Sequence, residues 1–401
     1  MTPSASSPFR AFLILCAIGF LAFLSYDMIR SPVLPLFAEQ LGASPRTVGL
    51  IVAASTLTGV CMKLPVGVLS DRLGRRLFLG LGVAVFALAP WLYLAVDELW
   101  SLALLRFFHG LATAIFTPVA LAVVADLFPS RRGETIGWYS ALRQSGTLLG
   151  RMGGGALIDA AGFTAVFFAC GSLGGFIVGL FMLLGARRSP GLAGHAPAVE
   201  ERMAWSQLWA GLVEIASHAR IVTTSLMQGL QMLADGVLMA FLPLYGLTVG
   251  LTPTEVGVLF GLQGVVSILA RPMMGRLSDR VGRPPMIVAG LLACAAAFGL
   301  LPFTASMGTM LAPAALFGFG GAVVASATSA YVADLVHARS MGSAMGVFGM
   351  LMDVGHASGP LVGGLLIAAV GYRPAFGIIA AVLLIGTGWF LAVERAKIHA
   401  G

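Results

Sequence analysis

The sequence predicts an all-α membrane protein with 12 transmembrane helices in two six-helix, pseudo-symmetric halves. Its composition is the first reason, because 58% of the 401 residues are apolar and 10% are charged, whereas soluble domains carry about 25% charged residues. The second reason is that apolar segments of about 18 residues or more, a length that crosses a bilayer as a helix, recur along the chain. The third is a charged motif that begins at Gly67 and returns 208 residues later, at Gly275.

The apolar segments are continuous and do not alternate with polar residues. A chain that spans lipid must form helices or a closed barrel, because its backbone polar groups find no water there. Continuous segments favour helices. We expect spans at residues 10–38, 46–69, 77–96, 100–125, 135–159, 163–185, 219–246, 254–274, 285–304, 308–333, 341–369 and 374–393.

A long hydrophilic stretch between the sixth and seventh spans divides the chain. We expect an N-terminal six-helix bundle at 1–186, a cytoplasmic linker at 187–218 and a C-terminal six-helix bundle at 219–401. A weakly amphipathic piece at 205–215 predicts a helix that lies on the membrane surface.

Lys and Arg are concentrated on one side of this topology. If the repeated motif faces the cytoplasm, sixteen of them lie on that side: Arg10, Arg72, Arg75, Arg76, Arg131, Arg132, Arg187, Arg188, Arg202, Arg220, Arg276, Arg280, Arg283, Arg339, Arg395 and Lys397. Only Arg46 and Arg373 lie on the other side. By the positive-inside rule both termini are cytoplasmic, and we place the chain in the inner (plasma) membrane.

Several other classes of protein are disfavoured. The net charge of +7 comes largely from short loops between spans, so we do not expect nucleic-acid binding. The four cysteines have neither metal nor disulfide spacing. The only lysines are Lys63 and Lys397, and no Walker motif, metal motif or nucleophile constellation occurs. We therefore expect a monomer that is not an enzyme, is not driven by ATP, and binds no cofactor and no metal.

Charged residues within the predicted spans are costly in a bilayer and mark functional sites by default. They are Asp27, Arg30, Lys63, Arg106, Arg143, Arg151, Asp235, Arg271 and Asp353. Asp27 and Asp235 occupy corresponding positions of the two halves, 208 residues apart. Lys63 and Arg271 stand near the cytoplasmic ends, where we expect them to snorkel. Since three acids face six bases, we expect a net positive interior.

Two interpretations of these charges remain open. In the first, Asp27, Asp235 or Asp353 carries a proton and Arg106 or Arg143 modulates it, with His356 one turn from Asp353. In the second, Arg143 and Arg151 bind an anionic substrate through forked hydrogen bonds. The remaining candidate substrate contacts are Tyr26, Arg30, Gln144, Gln228, Gln231, Tyr245 and Gln263.

The repeated motif resembles the signature loop between the second and third helices of the major facilitator superfamily, Gly-x-x-x-Asp-Arg-x-Gly-x-Arg. The first copy matches at every position, whereas the second ends in Pro284 in place of a base. The matching residues are Gly67, Asp71, Arg72, Gly74 and Arg76, and then Gly275, Asp279, Arg280 and Gly282. The resemblance implies a gate in which Asp71 holds the outward-facing state by contacting the eleventh helix, and the partial match of the second copy extends that role to Asp279.

The fourth span resembles another motif of the family, which ties Arg106 to proton coupling. His109 stands where the family usually has Gln, and an imidazole can change charge near neutral pH. Two plainer alternatives are that Arg106 snorkels to the outer surface and that His109 donates one hydrogen bond in the core.

The fifth and eleventh spans resemble the antiporter motif of drug–proton exporters, Gly-x-x-x-Gly-Pro-x-x-Gly-Gly. The intact copy lies on the eleventh span, at 355–364, whereas Arg151 replaces the proline on the fifth. This replacement removes the bend that a proline gives and adds an interior charge. The glycine spacing is equally compatible with close helix packing.

The resemblance as a whole implies a secondary transporter that works by alternating access. The most similar branch is the 12-helix exporters that exchange drugs or metabolites for protons, with Asp27 as the leading proton site. One alternative is an organic-anion transporter that uses the buried arginines. Another, of a different class, is a lipid flippase or a non-transporting sensor on the same fold.

Overall fold

The structure, a computed structural model, describes residues 8–185, 218–336 and 341–398. These residues form twelve membrane-length helices, as the sequence predicts. In chain order they are α1 (Pro8–Gln40), α2 (Pro45–Leu73), α3 (Arg75–Leu92), α4 (Leu99–Leu127), α5 (132–161), α6 (163–185), α7 (Ala219–Thr248), α8 (Pro253–Val281), α9 (Arg283–Leu300), α10 (Met307–Asp334), α11 (Met341–Val370) and α12 (Tyr372–Ile398). The surface helix predicted at 205–215 lies outside the described residues.

Two helical runs are interrupted along their length. Gly162, with φ 79° and ψ −178°, breaks the helical run Arg132–Gly185 and so separates α5 from α6. Within α1, Pro32 lies in a short π-helical turn, Ile29–Val33, and Ser31 is extended at φ −161° and ψ 128°. The corresponding stretch of α7 has no such break.

Glycines with positive φ mark the same three turns in each half of the sequence. Gly42, Gly74 and Gly162 have φ of 84°, 102° and 79°. Their counterparts 208 or 209 residues later, Gly250, Gly282 and Gly371, have φ of 84°, 100° and 80°. Because side chains with a Cβ rarely adopt this region, the glycine of each signature loop is needed for the turn from α2 to α3 and from α8 to α9.

The helices form two compact units. The first comprises Met1–Ala43, Ala54–Arg202 and Thr252–Gly257, and the second comprises Ser44–Ala53, Met203–Leu251 and Val258–Gly401. In the first unit α1 packs along α5, and α3 packs on α4 and α6. The second unit repeats this order, with α7 along α11 and α9 against α10 and α12.

Glycines of the antiporter-like motif form the seam between α1 and α5. A Cβ at Gly146 would meet the carbonyl of Phe20, one at Gly150 that of Leu24, and one at Gly154 that of Met28. In the second unit, Gly355 and Gly359 press in the same way on Gly229 and Leu233 of α7. Small residues therefore let the backbones approach, as is common in membranes.

The most buried spans are α1 and α7. In their most apolar windows 67% and 72% of the residues are buried, against 33% for α12. The other spans expose many large apolar side chains, such as Leu104, Phe168 and Ile385, as expected for a surface that faces lipid. Polar side chains on α1 and α7, such as Asp27 and Gln228, are therefore enclosed by protein.

Candidate functional site

Asp27 is the most enclosed carboxylate that the structure describes on α1. The residue is 2% exposed. Thr147 on α5 donates a hydrogen bond of 2.8 Å to Oδ2 of Asp27, and Nε of Arg151 lies 3.8 Å from its Oδ1. Both partners directly follow a motif glycine, Gly146 or Gly150, that lets α5 approach α1. The glycine seam therefore places a hydroxyl and a guanidinium at the same buried carboxylate.

Three more arginines of this unit lie against aromatic rings of α1. The guanidinium carbons of Arg30 and Arg106 are 5.9 Å and 5.5 Å from the centroid of the Tyr26 ring. That of Arg143 is 4.5 Å from the Phe23 ring. Cation–π contacts of this kind stabilise a cation without neutralising its charge. The expected excess of positive charge is thus concentrated around α1 in the first unit.

Arg106 is fully buried, at 0% exposure, so the alternative that it snorkels to the surface is wrong. Its Nη2 donates to Oγ of Ser55 at 2.6 Å, and its Nη1 donates to the hydroxyl of Tyr93 at 3.4 Å. The same hydroxyl lies 3.3 Å from Nδ1 of His109, whose ring packs edge-on against Tyr26 at 4.8 Å. Arg106 is therefore held by neutral hydroxyl groups.

The second unit holds Asp235 of α7 at the position that corresponds to Asp27. Nδ1 of His356 lies 3.6 Å from Oδ2 of Asp235, and Nε2 of Gln263 donates to its Oδ1 at 3.2 Å. His356 follows Gly355 on α11 as Thr147 follows Gly146 on α5, 209 residues earlier. In each unit, the carboxylate at this position is therefore contacted by a residue that follows a glycine of the antiporter-like motif, Thr147 in the first and His356 in the second.

Other predicted contact residues fall into two groups. Gln228 and Gln231 form a buried uncharged network, in which Gln228 donates to Gln231 at 3.0 Å and Thr328 donates to Gln228 at 2.9 Å. The hydroxyl of Tyr245 lies within hydrogen-bond distance of the carbonyls of Leu301 and Thr304, at 3.1 Å and 3.0 Å. Tyr245 therefore serves helix packing.

The remaining intramembrane candidates are more open. Asp353 and Gln144 are partly buried, on α11 and α5. Arg271 is exposed and Lys63 is intermediate, and the expectation that these two side chains snorkel stays a prediction. Within the described residues, no group of three or more His, Cys, Asp or Glu side chains could hold a metal ion.

The signature loops are held by charge pairs that the sequence analysis did not assign. Arg75 pairs with Asp126 at the end of α4. Its counterpart Arg283 pairs with Asp334 at the end of α10, at 2.9 Å, and with Asp279 at 2.6 Å. The constant offset of 208 between the two arginines, and between Asp126 and Asp334, was the signal that could have revealed these pairs.

The other residues of the signature loops are exposed, partly buried or have side chains outside the described part of the structure. The side chains of Asp71 and Arg72 lie outside the described part of the structure, so the gating role of Asp71 stays a prediction. Arg76 and Arg280 are exposed, and Gly67 and Gly275 are partly buried within helices α2 and α8.

Sequence reasoning also missed the hydroxyl partners of Arg106. Ser55 is the counterpart of Gln263, 208 residues later, and each bonds to a charged residue of its own unit. Comparing the two halves position by position could have suggested Ser55. Tyr93, in a 3-10 turn after α3, carried no such signal.

Two six-helix units with charged residues on the enclosed spans α1 and α7 define a multi-pass membrane protein. The sequence model of the Major Facilitator Superfamily matches residues 15–223 and 224–400. The chain belongs to this superfamily, as its motifs indicated.

Curated relatives are similar over most of their length. An uncharacterized MFS-type transporter of Methanocaldococcus jannaschii is 24% identical over 96% of this chain and 96% of its own. The multidrug resistance protein MdtG of Escherichia coli O81 (strain ED1a) is 27% identical over 96% of this chain and 95% of its own. MdtG of Citrobacter koseri is 26% identical over 88% and 87%.

Solved structures share the fold. A bacterial homolog of the human lysosomal transporter Spinster superposes with a TM-score of 0.83 at 18% identity, covering 97% of this chain and 98% of that chain. The nucleoside transporter NupG gives a TM-score of 0.74 at 14% identity, covering 96% and 99%. The family match and the membrane-length helices together make the protein a transporter of small molecules embedded in the membrane.

Proposed function

We propose that the protein is a proton-coupled exporter of drug-like cations or metabolites that works by alternating access. The observation that carries the proposal is Asp27, a carboxylate at 2% exposure that is paired with Arg151 and hydrogen-bonded to Thr147. A buried carboxylate with a cationic partner can exchange that partner for a proton or for a cationic substrate. The MdtG relatives, which are named multidrug resistance proteins, support the same direction.

The chemistry at Asp27 follows from charge. While it is ionised, Asp27 attracts Arg151 and any organic cation that reaches it. A proton on Asp27 removes that attraction, so the proton and the cation compete for one site. Competition of this kind couples proton entry to substrate exit without a covalent step.

The surroundings of this site support a division of roles. Arg106 is held by Ser55 and Tyr93 and lies 5.5 Å from the ring of Tyr26, the residue before Asp27. Its fixed charge raises the electrostatic cost of a second cation there.

The signature loops, with Asp71 and Asp279, form the gate. The two bundles, at 1–186 and 219–401, are joined by the linker at 187–218, and both termini face the cytoplasm of an inner membrane.

The experiment is transport by the purified protein in proteoliposomes with an imposed pH gradient and an internal pH dye. Tetraphenylphosphonium and ethidium serve as lipophilic cations, and benzoate and p-aminohippurate serve as organic anions. The proposal predicts proton movement that depends on the cations. Responses to anions alone would contradict it.

Transport of organic anions is the second candidate. The observation in its favour is that Arg106 and Arg143 contact hydroxyl groups or aromatic rings and no carboxylate within the described residues. Under this alternative, anion-dependent flux falls in Arg143→Ala and Arg151→Ala. No flux with either class of solute would favour a lipid flippase or a sensor.

A further inference from the structure

The charged pairs of the two units differ in one chemical respect. Asp27 faces Arg151, whose guanidinium stays charged at every physiological pH. Asp235 faces His356 at 3.6 Å, and imidazole is the side chain that changes charge between about pH 5 and 8. The position of Arg151 is taken by Pro360 in the second unit. Only the second pair therefore has a partner whose side-chain type can change charge near neutral pH.

Charge balance makes proton uptake easier at the second pair. A proton that binds His356 beside ionised Asp235 converts a net negative site into a neutral ion pair. A proton that binds Asp27 beside Arg151 converts a neutral pair into a net positive site. Net charge is costly in a medium of low dielectric constant, and the first unit already holds Arg30, Arg106 and Arg143 around α1.

The groups close to the second pair favour a positive charge on His356. From α7 the facing group is Asp235 itself, and from α8 it is Gln263, which donates to Asp235 at 3.2 Å. Asp353 stands one turn earlier on α11. From α9, the thiol of Cys294 is fully buried and carries no charge between pH 5 and 8. Of these residues, Asp235 and Asp353 are the carboxylates, which can stabilise a protonated imidazole.

The remaining charged and titratable groups on elements packed against α11 stand near helix ends. Among the described side chains of the second unit they are Arg46 on α2, Arg220 and Tyr245 on α7, Tyr331 and Asp334 on α10, and Tyr372, Arg373, Glu394 and Arg395 on α12. Tyr331 and Glu394 are hydrogen-bonded to each other at 3.0 Å. His356 lies in the middle of α11, so these groups act on it from a distance.

We propose that the Asp235–His356 pair is a second proton-binding site, which sets how the rate of transport depends on ambient pH, while Asp27 carries the exchanged proton. The inference rests on the proposed proton-coupled transport. It assigns the two units different tasks: the first has a fixed cation beside its carboxylate, and the second has a cation that appears only when a proton is bound.

The first test compares pH profiles of tetraphenylphosphonium transport at a constant pH difference. His356→Arg gives Asp235 the fixed cation that Asp27 already has. We expect wild-type rates to vary at least about fivefold between pH 5 and 8, and rates of the variant to vary less than about twofold. The matched control is His218→Gln, at an exposed histidine that precedes α7, which should keep the wild-type profile.

His356→Gln provides a second variant in case arginine disturbs the packing, and it should also flatten the profile. Wild-type profiles in both His356 variants would overturn the inference. Absence of proton-coupled flux in the wild type would instead contradict the proposed function.

The second test does not depend on transport. Nitrogen NMR of the imidazoles in detergent-solubilised protein identifies His356 by the resonances that His356→Gln removes. We expect those resonances to titrate between pH 5 and 8. A His356 whose charge stays constant across that range would overturn the inference, whatever the transport assay gives.

Discussion

The guanidinium Nε of Arg151 lies 3.8 Å from Oδ1 of Asp27. Arg151 stands at the motif position that Pro360 holds in the antiporter-like motif of α11. The residue that departs from the motif is therefore the residue that supplies the counter-charge for the buried acid of α1. Thr147, one turn earlier, completes the contact by donating to the other carboxylate oxygen at 2.8 Å. The first unit combines a packing seam and a charged site on the same face of α5.

This pairing predicts strong coupling between Asp27 and Arg151. Arg151→Leu removes the cation and leaves a buried carboxylate, which should lower the free energy of unfolding by about 3–5 kcal/mol. Asp27→Asn combined with Arg151→Leu should recover most of that loss. A double-mutant cycle from chemical unfolding in detergent micelles measures the coupling. Effects that add within about 0.5 kcal/mol would contradict the pairing.

Because motif glycines of α5 lie against the backbone of α1, adding a single methyl group at one of them should force the two helices apart. In Gly150→Ala the new Cβ would meet the carbonyl of Leu24 and lie 3.0 Å from the backbone nitrogen of Met28, so we expect a loss of about 1–3 kcal/mol. The matched control is Gly137→Ala on the same helix. Within the part of the chain that the structure describes, no atom outside the local helix backbone lies within 4 Å of its new Cβ. Alanine there should stabilise the helix by up to about 1 kcal/mol. Equal thermal stabilities for the two variants would argue against a packing role.

The hydroxyl of Tyr93 serves both Arg106 and His109, at 3.4 Å and 3.3 Å. Tyr93→Phe leaves two buried polar groups with one partner fewer, and we expect it to cost about 1–3 kcal/mol of unfolding free energy. Tyr139→Phe is the control, because its buried hydroxyl has no hydrogen-bond partner among the described residues. That variant should be neutral or slightly stabilising. If the two variants were equally stable, the Tyr93 contacts would have little energetic value.

The proposed orientation predicts which loops react with a membrane-impermeant thiol reagent. In a background in which all four native cysteines are replaced by alanine, Asp97→Cys between α3 and α4 should be labelled from outside intact cells. Ser130→Cys between α4 and α5 should be labelled only after the membrane is opened. Both positions are exposed. The reverse pattern of labelling would place the termini outside.

Much of the fold could be predicted because it depends on local properties of the chain. Length and hydropathy gave the twelve spans, and the break between α5 and α6 falls at Gly162, between the two predicted spans. The constant offset of 208 residues then showed which positions of the two halves correspond, including Asp27 and Asp235. The glycine spacing of the antiporter-like motif was compatible with close helix packing, and Gly146, Gly150 and Gly154 do pack against α1.

Partners of the charged residues could not be predicted, because they depend on the rotation of each helix about its own axis. A shift of one residue turns a helix by about 100° and would move Thr147 or His356 away from its carboxylate. Arg106 shows the same limit, since its contacts with Ser55 and Tyr93 come from two other helical segments. Only position-by-position comparison of the halves could have suggested some of these contacts.

The most direct measurement of the central claim compares Asp27→Asn with Asp97→Asn in proteoliposomes. The assay reads cation-dependent proton movement under an imposed pH gradient, and Asp97 is an exposed loop residue that serves as the matched control. If Asp27 carries the exchanged proton, Asp27→Asn abolishes exchange, whereas Asp97→Asn keeps the wild-type rate. Full exchange in Asp27→Asn would remove Asp27 from the mechanism and contradict the proposal.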